Sequence, residues 1–244
     1  MTDYIDKIAP EPRRSLREII EDAMRGEPSV YLVRHGATEM NRGGSGKDLI
    51  RGWKDVPLSK EGLADAHRLA ADLKDCDFKI IHCSDLQRAE ITAEIIAKTT
   101  GGEVESAHDL RSWNMGPEFE GKLTSKPIIK RIKELVEGRD ERARDGESFL
   151  DFVHRIIEAV EPVFKGARGE TAIVTHGRCL QIIALWVASG CDEDAMLDEY
   201  EGELESEPDS IAPGGYLELK RIDGKWTAAK EESHQKTDKS AVVS

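Results

Sequence analysis

The sequence has no long hydrophobic run and no paired cysteines. Its longest apolar stretch, Ile182 to Ala188, is far shorter than the roughly 20 residues that a membrane-spanning helix needs. The first residues, Met-Thr-Asp-Tyr-Ile-Asp, lack the basic start and apolar core of a secretory signal. The four cysteines form no Cys-x-x-Cys pair and no regular zinc spacing. We therefore expect a cytoplasmic protein with reduced thiols, no membrane span and no metal site.

Basic residues are outnumbered, since 35 Lys and Arg stand against 48 Asp and Glu, for a net charge of −13. The excess is local, because ten acidic residues and no basic residue lie between Cys191 and Asp209. The rest of the chain is close to balanced. This distribution argues against a nucleic-acid partner, and it predicts that the acidic stretch is a solvated loop.

The length of 244 residues fits one large domain with appendages. Residues 1–28 contain apolar positions at helical spacing between Glu11 and Arg25, which predict an amphipathic N-terminal helix packed on the domain. The domain itself is expected over residues 29–230. Residues 231–244 are polar and without pattern, which predicts a disordered tail.

Short apolar runs alternate with helical patterns along the domain. Buried strands are expected at Val30 to Val33, Phe78 to Cys83 and Thr171 to Thr175. Helices are expected at Ser59 to Lys74, Leu86 to Lys98 and Leu123 to Val136. A long helix is expected to begin at the Ser148 cap, and another is expected to follow the strand at Thr171 to Thr175 and to run through Trp186. A final hairpin is expected around Asp223-Gly224. The alternation predicts an α/β three-layer sandwich, with a mostly parallel sheet flanked by helices.

The three predicted strands lead into groups that are suited to phosphate chemistry. The segments are Arg34-His35-Gly36, Ser84-Asp85-Leu86-Gln87-Arg88 and His176-Gly177-Arg178. Ligands collect outside the carboxyl ends of the strands in such folds, so two histidines and two or three arginines are expected at one mouth. Arginine offers paired donors to phosphate oxygens, and a neutral imidazole is able to attack phosphorus.

Five segments carry these groups in order along the chain. They are Leu32-Val33-Arg34-His35-Gly36-Ala37-Thr38-Glu39-Met40-Asn41, Asp55-Val56-Pro57-Leu58-Ser59-Lys60-Glu61-Gly62, Ser84-Asp85-Leu86-Gln87-Arg88-Ala89 with Thr92-Ala93, Gly146-Glu147-Ser148, and Val174-Thr175-His176-Gly177. Together they resemble the motifs of the histidine phosphatase superfamily, in its phosphoglycerate-mutase-like branch. The resemblance runs from about Tyr31 to Leu219 and therefore covers nearly all of the predicted domain.

The resemblance implies a role for each matching residue. His35 would be the nucleophile that becomes phosphorylated. The transferring phosphoryl group would be bound by Arg34, Arg88 and His176. Asn41, Thr38 and Gly177 would contribute further contacts to the substrate. No cofactor is implied.

One segment departs from the family pattern. It reads Leu110-Arg111-Ser112-Trp113-Asn114-Met115-Gly116, so Ser112 stands where the family usually has a glutamate that acts as the general acid. A serine hydroxyl does not titrate near neutrality and is a poor proton donor. Either another carboxyl group replaces it, or the leaving group needs little protonation. The candidate replacements are Glu147, Glu118, Glu120 and Asp109, and Glu147 has the best motif context.

The sequence thus predicts a metal-independent phosphatase that hydrolyses phosphate monoesters through a phosphohistidine on His35. Its substrate would be a phosphorylated small molecule or a phosphorylated protein. Residues 112–147 are expected to fold over the pocket as a helical lid. A mutase is one alternative, since Arg51-Gly52-Trp53-Lys54-Asp55 resembles the mutase version of its loop. The other alternative is a phosphate-binding protein without turnover, which Ser112 favours. The natural substrate and the oligomeric state cannot be read from the sequence.

Overall fold

The computed structural model describes residues 27–41, 47–203 and 211–232, with the side chains of 199–203 and 229–232 left out. The predicted N-terminal helix lies outside the described residues. So does the predicted tail, except for its first two residues, which belong to the last strand. No helix in the described part of the chain combines the length and the hydropathy needed to cross a membrane.

The described residues form a six-stranded sheet in the order β3-β2-β4-β1-β5-β6. The strands are β1 (Ser29–Arg34), β2 (Ile80–Ser84), β3 (Glu103–Ala107), β4 (Glu170–Thr175), β5 (Tyr216–Ile222) and β6 (Lys225–Glu232). Pairings among β1 to β4 are parallel, and those of β5 with β1 and β6 are antiparallel. The prediction of a mostly parallel sheet in an α/β fold is confirmed.

Helices connect the strands and cover both faces of the sheet. They are α1 (Lys60–Asp72), α2 (Gln87–Thr100), α3 (Gly116–Phe119), α4 (Lys126–Glu137), α5 (Phe149–Gly166), α6 (Gly177–Ala188) and α7 (Glu193–Glu203). Side-chain caps define two of the starts. Ser59 Oγ accepts a hydrogen bond from Gly62 N at α1, and Ser148 with Asp151 forms a capping box at α5.

The alternation of side chains along β1 divides the core into two layers. Val30 and Leu32 join a cluster with α5 and α6, whereas Tyr31 and Val33 join a cluster with α1 and α2. Successive residues of a strand point to opposite faces of a sheet, and all four of these residues are buried. The sheet is therefore buried between two helical layers, as in the predicted sandwich.

Two elements differ from the sequence-based expectations. Strand β3 was not predicted, because this edge strand is largely exposed and carries no apolar alternation. The acidic stretch, predicted to be a loop, contains helix α7. Its start is stabilised by Asp192, whose Oδ1 accepts from Ala195 N at 3.0 Å, and by acidic residues in its first turn. Buried Met196 and Leu197 anchor α7 to the core.

Candidate active site

The two candidate catalytic histidines follow neighbouring parallel strands. In the register of β1 and β4, Arg34 pairs with Thr175, and His35 N donates to Thr175 O at 3.1 Å. His35 and His176 therefore lie side by side, with ring centroids 5.1 Å apart at an interplanar angle of 63°. Their exposed fractions are only 1% and 3%, so both rings are shielded from bulk water.

The hydrogen bond of His35 defines its tautomer. Its Nδ1 lies 2.6 Å from the carbonyl oxygen of Gly36, and a carbonyl only accepts, so Nδ1 carries the hydrogen. Nε2 then keeps its lone pair. Burial, followed by the positive charges of Arg88, Arg51 and Arg34, lowers the pKa of His35 well below its ordinary 6.5. His35 is thus held neutral, in the form that acts as a nucleophile.

The loop after His35 is fixed by a close approach of two backbones. A Cβ atom on Gly36 would lie 2.2 Å from the carbonyl oxygen of Gly62, and one on Gly62 would lie 1.8 Å from that of Ala37. Only glycine is compatible with both positions. Because Gly62 is in the first turn of α1, this contact ties the histidine loop to the start of that helix.

His176 sits at the start of α6, immediately after β4. Its Nε2 is 3.0 Å from Ser84 Oγ at the end of β2, and its buried Nδ1 has no hydrogen-bond partner. Burial, then the charge of Arg88, lowers the pKa of His176 well below its ordinary value. The ring is therefore neutral, with one polar atom left for a ligand.

Arg34 and Gly177 pack against each other. Arg34 Nη1 donates to the carbonyl of Ile211 at 2.8 Å, while its Nε is buried without a partner. A Cβ atom on Gly177 would lie 3.2 Å from Arg34 Cζ, so a side chain there would press on the guanidinium. Burial and the charge of Arg51 lower the pKa of Arg34 to about 10.

Arg88 is fully buried in the first turn of α2. Its Nη1 and Nη2 donate to the carbonyls of Lys54 and Gly52 at 2.9 and 3.1 Å, and its Nε has no partner. Burial, then the charge of Arg51, lowers the pKa of Arg88 to about 10. Two nitrogens of Arg88 therefore fix the 51–54 loop, and its buried Nε is left as an unpaired donor.

Arg51 is a candidate site residue that sequence reasoning missed. Its Nη1 is buried without a partner, burial lowers its pKa, and its charge acts on both histidines and on Arg34 and Arg88. The sequence places Arg51 beside Gly52-Trp53, in the loop that resembles the mutase version, and this position could have suggested a role in the site. The sequence does not show, however, in which direction the Arg51 side chain points.

Thr38 and Asn41 form a turn at the rim of the site. Asn41 Oδ1 accepts from Thr38 N at 3.0 Å and from Thr38 Oγ1 at 3.1 Å. Thr38 is buried and also bridges to Leu58. The structure thus gives Asn41 a role in shaping the loop that follows His35.

Glu147, the leading candidate for the general acid, is committed to other partners. Arg155 Nη2 donates to its Oε1 at 2.6 Å and Arg155 Nε to its Oε2 at 3.1 Å. Asn114 N donates to Oε1 at 2.7 Å. Both carboxylate oxygens are therefore used in joining α5 to the 112–114 segment.

The other acid candidates have partners of their own or are exposed. Glu120 Oε1 accepts a hydrogen bond from Trp53 N at 2.7 Å. Asp109 Oδ1 lies 3.3 Å from His108 Nδ1, and the side chain of Glu118 is exposed. Ser112 contributes its carbonyl oxygen, which accepts from Trp53 Nε1 at 2.7 Å. None of these contacts presents a carboxyl group to His35.

The pocket has the donor set of an anion site. Four buried polar atoms in the described residues have no hydrogen-bond partner: Arg34 Nε, Arg51 Nη1, Arg88 Nε and His176 Nδ1. Buried polar groups are normally paired, so four unpaired atoms beside one neutral histidine indicate a site for an oxyanion. In the described part of the chain, no group of three or more His, Cys, Asp or Glu is placed to hold a metal ion.

Comparison with known proteins agrees with this chemistry. The family model described as histidine phosphatase superfamily (branch 1) matches residues 30–199. Among curated relatives, a probable phosphoglycerate mutase GpmB of Escherichia fergusonii is 35% identical over 156 residues, which cover 62% of this chain and 70% of the relative. The counterpart from Erwinia tasmaniensis is 32% identical over 158 residues, with 63% and 72% covered.

Solved structures share the fold. Bacillus stearothermophilus YhfR superposes with a TM-score of 0.65 at 27% identity, covering 85% of this chain and 98% of that one. A mycobacterial glucosyl-3-phosphoglycerate phosphatase superposes with a TM-score of 0.63 at 22% identity, covering 82% and 96%. The latter likeness is evidence for the fold alone.

Proposed function

The chain belongs to the histidine phosphatase superfamily, branch 1, and on that basis we propose that it is a metal-independent phosphatase acting on phosphate monoesters through a phosphohistidine on His35. The observation that carries the proposal is the hydrogen bond from His35 Nδ1 to Gly36 O. It leaves Nε2 unprotonated, inside a pocket of otherwise unpaired cationic donors.

The reaction has two steps. His35 Nε2 attacks the phosphorus atom, the bond from phosphorus to the ester oxygen breaks, and the ester oxygen leaves with the bonding electrons and takes a proton from solvent to become the alcohol. Water then attacks the phosphorus of the phosphohistidine, the nitrogen–phosphorus bond breaks, and the water gives one proton to solvent as inorganic phosphate is released. During both steps the Gly36 carbonyl holds the Nδ1 hydrogen, which stabilises the charge that develops on the ring.

The arginines supply charge neutralisation and position. Phosphoryl transfer depends mainly on positioning and on stabilising charge on the equatorial oxygens. Arg34 and Arg88 are anchored through one or two of their nitrogens to backbone carbonyls, so their remaining donors are pre-organised. His176 offers Nδ1 from the neighbouring strand end.

Residues 112–147 are proposed to cover this pocket. The segment is joined to the loop before Arg51 by backbone hydrogen bonds, from Ile50 N to Lys122 O at 2.9 Å and from Gly121 N to Ile50 O at 2.8 Å. These bonds connect residues 112–147 to the loop that Arg88 holds through its two hydrogen bonds. The substrate is proposed to be a phosphorylated small molecule that fits beneath it.

A mutase is the second candidate, favoured by the likeness to probable phosphoglycerate mutases and by the loop at Arg51. The two differ in the acceptor of the second step, which is water for a phosphatase and a hydroxyl group for a mutase. A protein that binds phosphate without turnover would perform neither step.

A substrate panel separates the three. Steady-state release of inorganic phosphate from a set of phosphorylated metabolites, with EDTA present, is expected for the wild type and absent in His35→Ala. His67→Ala, which removes an exposed histidine of α1, should behave as wild type. Isomerised phosphate ester without phosphate release would indicate the mutase, saturable binding without either product would indicate the binding protein, and activity lost in EDTA and restored by Mg²⁺ would contradict metal independence.

A further inference from the structure

The pocket carries one more positive charge than a phosphoryl dianion matches. Arg34, Arg51 and Arg88 each have one buried nitrogen without a partner. Within the described residues, none of the three forms an ion pair with a carboxylate, although the charges of Asp48, Asp55 and Glu120 act on them from further away. The pKa values of the two histidines are lowered, so at neutral pH these residues neither add to the positive charge of the pocket nor reduce it.

Clustering three guanidiniums in a buried place is costly. Removing a charge from water costs free energy unless an opposite charge compensates it, and like charges in one site repel each other. Burial, followed by the charge of Arg51, lowers the pKa of Arg34 and of Arg88, in the direction that these costs predict. Asp48, Asp55 and Glu120 compensate part of this charge without forming, in the described part of the chain, an ion pair with any of the three arginines. Two guanidiniums match the dianionic phosphoryl group, so the third favours a substrate that carries a further negative charge.

Among the residues that the structure describes, no carboxyl group contacts His35 or the unpaired donors of the pocket. The charges with the largest effect on His35 are all guanidiniums. Glu147 and Glu120 are bound to Arg155 and to Trp53 N, and Asp55 Oδ1 accepts from Gln87 N at 2.9 Å. This set of contacts favours a leaving group that is a weak base and is stable as an anion.

Resting on the proposed phosphohistidine mechanism, and extending it beyond phosphate monoesters, we propose that phosphoanhydrides are the preferred substrates and that Arg51 binds the second phosphate, which is the leaving group. A phosphate leaving group meets both conditions, since it carries the extra negative charge and departs without being protonated. Arg51 thus does with its charge what a general acid does with a proton.

The atoms balance without a further reactant. His35 Nε2 bonds to the terminal phosphorus, the bond from that phosphorus to the bridging oxygen breaks, and the bridging oxygen leaves with the electron pair as part of a phosphate monoester. Water then attacks the phosphohistidine, its oxygen bonds to phosphorus, and the nitrogen–phosphorus bond breaks. Inorganic phosphate is released and one proton passes to solvent.

Four probe substrates separate charge from leaving-group basicity. Methyl phosphate has a strongly basic leaving group, and 3-phosphoglycerate adds a carboxylate to such a group. Para-nitrophenyl phosphate has a weakly basic leaving group without a second phosphate, and methyl diphosphate has both properties. Initial rates of phosphate release are measured in EDTA for the wild type, Arg51→Gln and Arg51→Lys, with melting temperature as the check on folding.

We expect Arg51→Gln to lower kcat/KM for methyl diphosphate at least about tenfold more than for para-nitrophenyl phosphate, on the scale of one lost electrostatic contact to developing charge. Arg51→Lys should restore most of the difference, because it keeps the charge. An equal loss on both substrates, or the largest loss on 3-phosphoglycerate, would overturn the assignment of Arg51 to a phosphate leaving group.

The two proposals fail in different ways. In the first case, para-nitrophenyl phosphate is hydrolysed and leaves phosphate on His35, but the wild type turns over methyl diphosphate no faster than methyl phosphate. Only the phosphoanhydride assignment is then wrong. If no probe labels His35, the phosphohistidine mechanism itself is wrong.

Discussion

Two arginine clusters border the loop that carries Trp53, and they differ in their partners. The pocket arginines, Arg34, Arg51 and Arg88, each keep a buried nitrogen unpaired. The second cluster, Arg111 and Arg155, forms bidentate ion pairs. Arg111 binds Asp85 at 2.6 and 2.7 Å, and Arg155 binds Glu147 at 2.6 and 3.1 Å. We call this second pair the paired arginines.

The pKa of Arg111, which has a carboxylate partner, shifts in the opposite direction from the pKa values of Arg34 and Arg88, which have none among the described residues. The hydrogen bond to Asp85 raises the pKa of Arg111, whereas burial among like charges lowers the pKa of Arg34 and Arg88 to about 10. The guanidiniums of Arg111 and Arg155 also lie 5.1 and 5.8 Å from the centroid of the Trp53 ring. The paired arginines therefore stabilise the fold around the loop, and we propose that the pocket arginines keep their unpaired donors for a ligand. The comparison is tested by changing one member of each cluster.

Among the arginine variants, the largest effect on activity is expected from Arg88→Ala. If Arg88 contacts the transferring phosphoryl group, its loss should remove at least about 2 kcal/mol of transition-state stabilisation. The measurement is kcat/KM for para-nitrophenyl phosphate, together with the free energy of unfolding. Arg142→Ala, which changes an exposed arginine, is the matched control. Near-normal turnover by Arg88→Ala would place this arginine outside the site.

The second cluster should respond mainly in stability. Arg155→Met leaves the Glu147 carboxylate without its cation and removes donors from the carbonyls of Asp109, Arg111 and Ser112. Because the Glu147 and Arg155 side chains are only 15% and 14% exposed, we expect the free energy of unfolding to fall by roughly 2 kcal/mol.

A double mutant sharpens that result. Arg155→Met with Glu147→Gln should be more stable than Arg155→Met alone, because no unpaired carboxylate remains. Urea unfolding of the wild type, of the single mutants Arg155→Met and Glu147→Gln, and of the double mutant gives the coupling free energy. If Arg155→Met left stability unchanged while activity fell as far as in Arg88→Ala, the two clusters would not differ in the way described.

The buried histidines give the pocket a pH-dependent stability. In the unfolded chain each titrates near its ordinary value of about 6.5, but in the fold both remain neutral well below it. Below pH 6.5 the unfolded chain therefore binds more protons, and the free energy of unfolding should fall by up to about 1.4 kcal/mol per pH unit for each histidine. This contribution is fully present above pH 6.5 and is lost as the pH falls toward the lower, folded-state values.

The variant His176→Gln should reduce that slope by one histidine's share, measured by urea unfolding between pH 7 and pH 5. His67→Ala, at an exposed position, provides the comparison. An unchanged slope in His176→Gln would mean that His176 is protonated in the folded protein.

The smallest effect is expected from Ser112→Glu. A carboxyl group in a partly desolvated position can stay protonated near neutral pH, so the variant should raise turnover of alkyl phosphates, by about tenfold for a partly effective acid. It should barely change para-nitrophenyl phosphate, whose leaving group needs no proton. If the wild type already hydrolyses alkyl phosphates well and Ser112→Glu only slows it, another residue is the acid, and Glu118→Gln and Glu120→Gln become the variants to measure.

The convergence of the two histidines could be predicted because it follows from topology. Both directly follow buried strands, and parallel neighbours bring their carboxyl ends to one edge. Arg51 could not be placed in the same way. Its loop has no periodic pattern, and its course depends on Arg88 donating to Gly52 and Lys54 and on Glu120 accepting from Trp53 N. These contacts join segments far apart in sequence.

Glu147 shows a different limit. Its position before α5 could be predicted from the Ser148 cap, but its partner Arg155 is eight residues further along that helix. The helical pattern does not show that the Arg155 guanidinium turns back to the helix start and binds Glu147 there. The helix α7 was missed for a related reason, since charge composition alone does not reveal the two buried side chains that anchor it.

The most direct test of the central claim is identification of the phosphorylated atom. Wild-type protein is mixed briefly with para-nitrophenyl phosphate and quenched in alkali, and the phosphopeptides are sequenced by mass spectrometry. The account predicts an acid-labile phosphate on the peptide that contains His35, absent from His35→Ala and present in His67→Ala. A phosphate that is found on a serine or an aspartate instead would contradict it.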